Sequence, residues 1–238
     1  MKIVLKIIII IFLLTACKQE KLKKGTDKSL KVISYDTIGF SPEHYKKRVK
    51  AFSKADAINC KYLFLGNSIT ERGNWVRLLN DTTIINQGIS GDLTFGILKR
   101  IKLITRQKPK VIFMMIGVND LAKKVPDTII ENNIMKIITE INKSLPLTKI
   151  YVQSILPINN NIKGFPDDFD YSKNILDINS FLRSKDNINY YFVDLYSKFI
   201  DSKNQLDNRY TIDGLHLNEL GYKHLIEILK SYHDFSLN

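Results

Sequence analysis

The apolar positions of the chain follow three rhythms. Residues 1–17 read MKIVLKIIIIIFLLTAC, with Lys2 and Lys6 ahead of an unbroken apolar run from Ile7 to Leu14. A helix needs about 20 apolar residues to cross the hydrocarbon layer of a membrane. A run this short reads as a signal peptide rather than a span. From residue 31 onward, short apolar runs alternate with stretches whose apolar residues recur every three or four positions. The runs Tyr62–Leu65, Thr83–Asn86, Val111–Ile116, Ile150–Ser154 and Tyr190–Asp194 predict strands. The periodic stretches Leu93–Thr105, Ile129–Leu145, Lys173–Leu182 and Asn218–Tyr232 predict helices. Ser41-Pro42-Glu43 opens another, running to about Ala55, with Ser as cap and Pro in the first turn.

Strands alternating with helices predict an α/β fold, a parallel sheet of about five strands with helices on both faces. The run VIFMMIG has no polar alternation, as suits a strand buried on both sides. Composition adds limits. With 238 residues, 44% hydrophobic and 25% charged, the chain is one domain or two small ones, not a disordered polymer. Eleven Gly and two Cys exclude collagen-like and disulfide-scaffold classes. Thirty-six basic against 24 acidic residues give a net charge of +12. No basic run is interleaved with aromatics, so we read this charge as a Lys-rich solvated surface and expect no nucleic-acid partner.

The end of the first segment, Leu14-Thr15-Ala16-Cys17, resembles a bacterial lipobox. That resemblance implies cleavage before Cys17 and a diacylglycerol on its thiol. The expected organisation is a signal peptide over 1–16, a lipidated Cys and flexible tether over 17–30, and one domain over 31–238. Multiple acyl chains anchor stably. The expected location is therefore the bacterial cell envelope, on the membrane through Cys17, with an outer-membrane lipid facing the periplasm or the surface.

Open parallel sheets bind ligands at the carboxyl ends of their strands. The polar, Gly-rich segments fall there: GNSIT after the first predicted strand, NQGISGD after the second, GVND after the third, and DGLHLN before the last helix. They bring a hydroxyl, flexible backbone amides, a carboxamide and an Asp/His pair to one edge. These are the parts of acyl transfer. A Ser hydroxyl needs a neighbouring base to become a nucleophile, His serves near neutral pH, and Asp fixes its tautomer. Backbone amides and an Asn amide suit a developing oxyanion.

On these four blocks the chain resembles the SGNH, or GDSL-like, hydrolase family over about residues 60–232. Among its members it resembles bacterial carbohydrate (sialate-type) O-acetylesterases and the acetylhydrolases of platelet-activating factor. The resemblance implies a flavodoxin-like three-layer α/β/α sandwich and ester hydrolysis through an acyl-serine. It implies Ser68 as nucleophile, His216 as base and Asp213 as its orienting partner. The oxyanion hole would be formed by Ser68, Gly91 and Asn119, with no cofactor and no metal. Asn67 stands where the family usually has Asp, a change outside the triad.

The remaining features carry less chemistry. Asp120 is expected to hold its loop by hydrogen bonds, Gly88 to serve a turn, Asn218 to cap the last helix and Cys60 to be inert and buried. Residues 155–171 form a long loop on the same edge. Its Asn159 and neighbouring Asn160 and Asn161 are candidate hydrogen-bonding partners for sugar hydroxyls. Phe165, with Phe169 or Tyr171, is a candidate stacking surface. The expected substrate is a small-molecule or glycan ester, with acetyl the favoured acyl group. The alternatives are a lysophospholipase or thioesterase and a non-catalytic glycan-binding lipoprotein.

Overall fold

The computed structural model describes residues 37–54, 60–162, 170–186 and 189–235. The signal segment, Cys17, the tether and Phe165 lie outside them. Five parallel strands form one sheet: β1 Tyr62–Gly66, β2 Ile84–Gly88, β3 Val111–Met115, β4 Lys149–Gln153 and β5 Tyr191–Val193, in the order β2-β1-β3-β4-β5. The helices are α1 Pro42–Lys54, α2 Ser68–Arg72, α3 Trp75–Leu79, α4 Thr94–Lys99, α5 Ile101–Arg106, α6 Val118–Ala122, α7 Asp127–Ser144, α8 Ser172–Ser184, α9 Tyr196–Phe199 and α10 Glu219–Tyr232. The predicted α/β class and strand count are those observed.

The central strands β1 and β3 are buried along their whole length, which is why their sequences are continuously apolar. Their side chains alternate between two cores. Leu63, Leu65, Ile112, Met114, Ile150 and Val152 pack with Ile97 of α4, Ile104 of α5, Ile130 and Ile137 of α7 and Ile178 of α8. Tyr62, Phe64, Phe113, Tyr151 and Val193 pack on the other face with Trp75 of α3, Phe199 of α9 and Tyr222 and Leu225 of α10. On that second face a row of stacked rings crosses the sheet. Trp75 lies on Phe64 at 4.1 Å, Phe64 on Phe113, Phe113 on Tyr151 and Tyr151 on Tyr191, each of the last three at 5.1 Å. Phe113 is fully buried at its centre, so Phe113→Ala is worth about 3–5 kcal/mol of stability.

The structure differs from the sequence reading in three respects. The helix expected over Leu93–Thr105 is two helices, interrupted at Arg100 (φ −109°, ψ 14°). Its side chain is drawn into the interior, where Nη2 donates to Asp92 Oδ2 at 2.9 Å and Nη1 to Gln87 Oε1 at 3.1 Å. Four helices of four or five residues, α2, α3, α6 and α9, were too short to show periodicity. Gly88 is the last residue of β2 rather than a turn residue.

Candidate active site

The carboxyl ends of β1, β2 and β3 converge as expected for a parallel sheet. Directly after β1, Asn67 caps α2 by accepting from the Ile69 amide at 3.1 Å, and Ser68 is the first helical residue. The cap needs only a carbonyl-type acceptor, which Asn supplies without the charge of an Asp. Tyr222 of α10 donates its hydroxyl to the Ile69 carbonyl at 2.7 Å, and Trp75 Nε1 donates to that of Thr70 at 2.8 Å. The short helix carrying Ser68 is thereby tied down by two large side chains.

The Ser68 hydroxyl lies 2.9 Å from His216 Nε2, and His216 Nδ1 lies 2.7 Å from Asp213 Oδ2. A carboxylate accepts only, so Nδ1 carries the proton and Nε2 accepts from Ser68, a tautomer assigned from the network. The other oxygen, Asp213 Oδ1, accepts from the amides of His216 at 2.7 Å and Leu215 at 3.0 Å. Burial pushes the Asp213 carboxyl up. The amide and ring of His216 and the Leu215 amide outweigh it and hold the group below its usual range. Thr211 Oγ1 closes the turn by donating to the His216 carbonyl at 2.8 Å and accepting from the Gly214 amide at 2.9 Å. Asn218 caps α10 as expected, accepting from the Gly221 amide at 2.9 Å.

Gly91 follows β2, and Asn119 lies on α6 directly after β3. Gly91 has φ +76°, a conformation that side chains other than hydrogen disfavour. Asn119 Nδ2 donates one hydrogen to the Asp92 carbonyl at 2.9 Å. That bond fixes the carboxamide plane and leaves the second N–H for another acceptor. Beneath them Asp120 is fully buried and accepts from both the amide and hydroxyl of Thr94 at 3.1 and 2.6 Å, while Asn133 Nδ2 donates to the same hydroxyl. Burial pushes Asp120 up to about 7. Ser68, Asp213 and His216 are thus brought into one hydrogen-bonded row, with Gly91 in the turn after β2 and Asn119 on α6 after β3.

A cavity of about 10 Å³ lies among Asn67, Ile69, Met115, Val118, Ile155 and Leu215, and none of Ser68, Gly91, Asn119, Asp213 and His216 lines it. Its lining is otherwise apolar, and its size matches about one water-sized probe. Among the described residues no three of His, Cys, Asp and Glu cluster so as to hold a metal ion. Cys60 is buried, and burial pushes its thiol up to about 12.

The expectation for Asn159 is corrected. Its Nδ2 donates to the Leu206 carbonyl at 2.8 Å and to Asn208 Oδ1 at 3.0 Å, while Oδ1 accepts from the Asn161 amide. Both amide hydrogens are used within the protein, and the side chain is buried. Its backbone amide also donates to the Gly214 carbonyl at 2.8 Å, beside the Asp213–His216 turn. Asn160 and Asn161 likewise bond Gln205. Buried loop backbone requires partners, and Asn159 supplies one to the Leu206 carbonyl. The sequence reading passed over Glu71, Arg100 and Thr94, which support the site from behind. An acid three residues after Ser68 and a lone Arg inside an apolar helix pattern were the available signals.

The GDSL-like lipase/acylhydrolase family model matches residues 64–224. A Streptococcus pneumonia structure, provisionally named for platelet activating factor, is 28% identical at TM-score 0.71, covering 79% of this chain and 92% of its own. A GDSL-like lipase from Bacteroides thetaiotaomicron is 23% identical at TM-score 0.68, covering 81% and 98%. A variant of a Geobacillus acetyl-xylooligosaccharide esterase is 21% identical at TM-score 0.58, covering 72% and 92%. Among curated proteins no significant match is found. The family match spans more than half of the chain and contains every residue of the Ser68, Gly91, Asn119, Asp213 and His216 arrangement, so the chain belongs to the GDSL-like lipase/acylhydrolase family of hydrolases.

Proposed function

We propose that the chain is a serine esterase that removes short acyl groups, acetyl foremost, from a carbohydrate ester. The observation that carries this is the unbroken row from Ser68 Oγ through His216 to Asp213, at 2.9 and 2.7 Å. Ser68 Oγ attacks the ester carbonyl while His216 Nε2 takes its proton. The oxyanion is met by the Ser68 and Gly91 amides and the second Asn119 N–H. The carbon–oxygen bond to the sugar breaks, and His216 returns the proton to the leaving alcohol. Water then attacks the acyl-serine, again through His216, and releases the acid. Asp213 stays ionised and stabilises the imidazolium throughout. The Geobacillus neighbour, an esterase of acetylated xylooligosaccharides, keeps sugar esters in view.

A second reading, hydrolysis of lysophospholipid or thioester, is favoured by one feature. Ile38, Phe40 and Ile212 are apolar and 56%, 51% and 61% exposed; Phe40 donates its amide to the Gly91 carbonyl and Ile212 precedes Asp213. Aryl esters from acetate to decanoate separate the readings. Rates that fall with chain length and vanish in Ser68→Ala support the acetylesterase, and rates that rise with length select the second reading. No turnover by folded protein would overturn both and leave a glycan-binding lipoprotein. We further propose that Cys17 is lipidated and tethers the domain in a bacterial envelope; retention of Cys17→Ser on membranes would contradict it.

A further inference from the structure

The donor at Gly91 is one peptide N–H on a surface turn, and its direction depends on what holds the Ser90–Gly91 peptide. Two bonds flank that peptide. On one side the Ser90 amide donates to Glu71 Oε2 at 2.5 Å. On the other, the Gly91 carbonyl accepts from the Phe40 amide at 3.0 Å. Neither partner belongs to the turn. Glu71 lies on α2, three residues after Ser68, and Phe40 lies in the bent segment before α1.

Glu71 is itself held by α1. His44 Nε2 sits 2.9 and 3.0 Å from its two oxygens, and Arg48 Nε sits 3.2 Å from Oε1. Arg48 Nη2 also donates to the Gly88 carbonyl at 3.0 Å, at the start of the same loop. The approach of the Phe40 segment is close. A Cβ at Gly39 would fall 2.6 Å from the Gly91 carbonyl oxygen, so only glycine lets the chain pass there.

We propose that Glu71 and the main chain of Phe40 are positioning elements of the reaction. They clamp the Ser90–Gly91 peptide from both sides and aim the Gly91 N–H at the oxyanion, and α1 holds the clamp through His44 and Arg48. This rests on the esterase reading. Burial pushes the Glu71 carboxyl up, but the Ser90 groups, His44 and Arg48 outweigh it and keep the group below its usual range, so it remains an acceptor. The α2 helix thus carries both the nucleophile and the support of an oxyanion donor, which fixes their separation through one rigid turn of chain.

Three variants of the full chain test this. Glu71→Gln weakens the hold on Ser90, and Phe40→Pro removes the amide donor, while Phe40→Leu retains it and measures the side chain alone. Loss of one complete oxyanion donor costs about 10²–10³-fold in kcat. A donor present but misdirected should cost about 10- to 100-fold, with KM within about twofold. Amide exchange at Ser90 should accelerate in Glu71→Gln, a readout independent of turnover. Rates of Glu71→Gln and Phe40→Pro within twofold of wild type and Phe40→Leu would overturn the proposal. So would unchanged Ser90 exchange in Glu71→Gln, or a rise in KM alone. Wild-type protein that turns over no ester would instead sink the esterase reading, and this proposal with it.

Discussion

The two edges of the sheet treat charge in opposite ways. At the carboxyl edge, Glu71, Asp92, Asp120 and Asp213 each have two or more fixed partners, and Asp92 and Asp120 are buried. At the amino edge, Lys61, Lys108, Lys110 and Lys149 surround an open depression of about 600 Å³ formed with Tyr62, Val111, Pro146 and Leu147. None of Ser68, Gly91, Asn119, Asp213 and His216 lines it, nor does any carboxylate among the described residues. The larger hollow therefore lies apart from those five residues. Charges at the first edge act through fixed geometry. Those at the second act through solvent and are screened within about 10 Å. A net charge of +12 is accordingly a poor guide to what this site does.

The sharpest test of that contrast is Asp213→Asn, which keeps the shape and removes the charge that sets the His216 tautomer. We expect kcat to fall by about 10⁴-fold with KM little changed, measured by steady-state hydrolysis. A near-normal rate would mean that the Thr211 turn orients the ring unaided.

Next comes the buried pair behind the oxyanion turn. Arg100→Met leaves Asp92 as an uncompensated buried carboxylate and should cost about 3–5 kcal/mol in urea unfolding. Adding Asp92→Asn should recover much of that loss. Failure to recover it would show that Arg100 matters chiefly through its packing.

A smaller effect concerns pH. The Asp120 carboxyl is raised to about 7 in the fold, while an unfolded Asp ionises near ~3.9. Between these values the folded state holds the extra proton, so this group lowers stability as pH rises from about 4 to about 7. Thermal unfolding of Asp120→Asn should lack that component of the slope. Parallel wild-type and variant curves would refute it.

The smallest change is expected at the other edge. Replacing Lys108, Lys110 and Lys149 together by Gln should leave kcat unaltered and stability within about 0.5 kcal/mol per site, while weakening retention on a cation exchanger. A several-fold change in kcat would show that the edges communicate and would end the contrast.

The sequence made the sheet legible because β1 and β3 are buried on both faces and so read as continuous apolar runs. Ser68, Asp213 and His216 stood out because acyl transfer would need those residue types after those elements, and the fold joins them by hydrogen bonds. The break at Arg100 was hidden, since it depends on Asp92 and Gln87, which only the fold brings near. Asn159 misled for a related reason. A carboxamide in a polar loop looks the same whether it awaits a sugar or completes the bonding of Leu206 and Asn208. The Glu71–Ser90 bond was invisible because it joins α2 to the turn after β2, whose proximity is set by the neighbouring register of β1 and β2.

Trp75 is the chain's single tryptophan. It lies against Phe64 within 4° of parallel and donates to the carbonyl of Thr70, two residues from the Ser68 hydroxyl. The protein therefore carries its own optical reporter. Indole emission will register loosening of the helix that carries Ser68, and comparison with far-ultraviolet dichroism will tell whether that helix melts before the rest of the sheet or together with it.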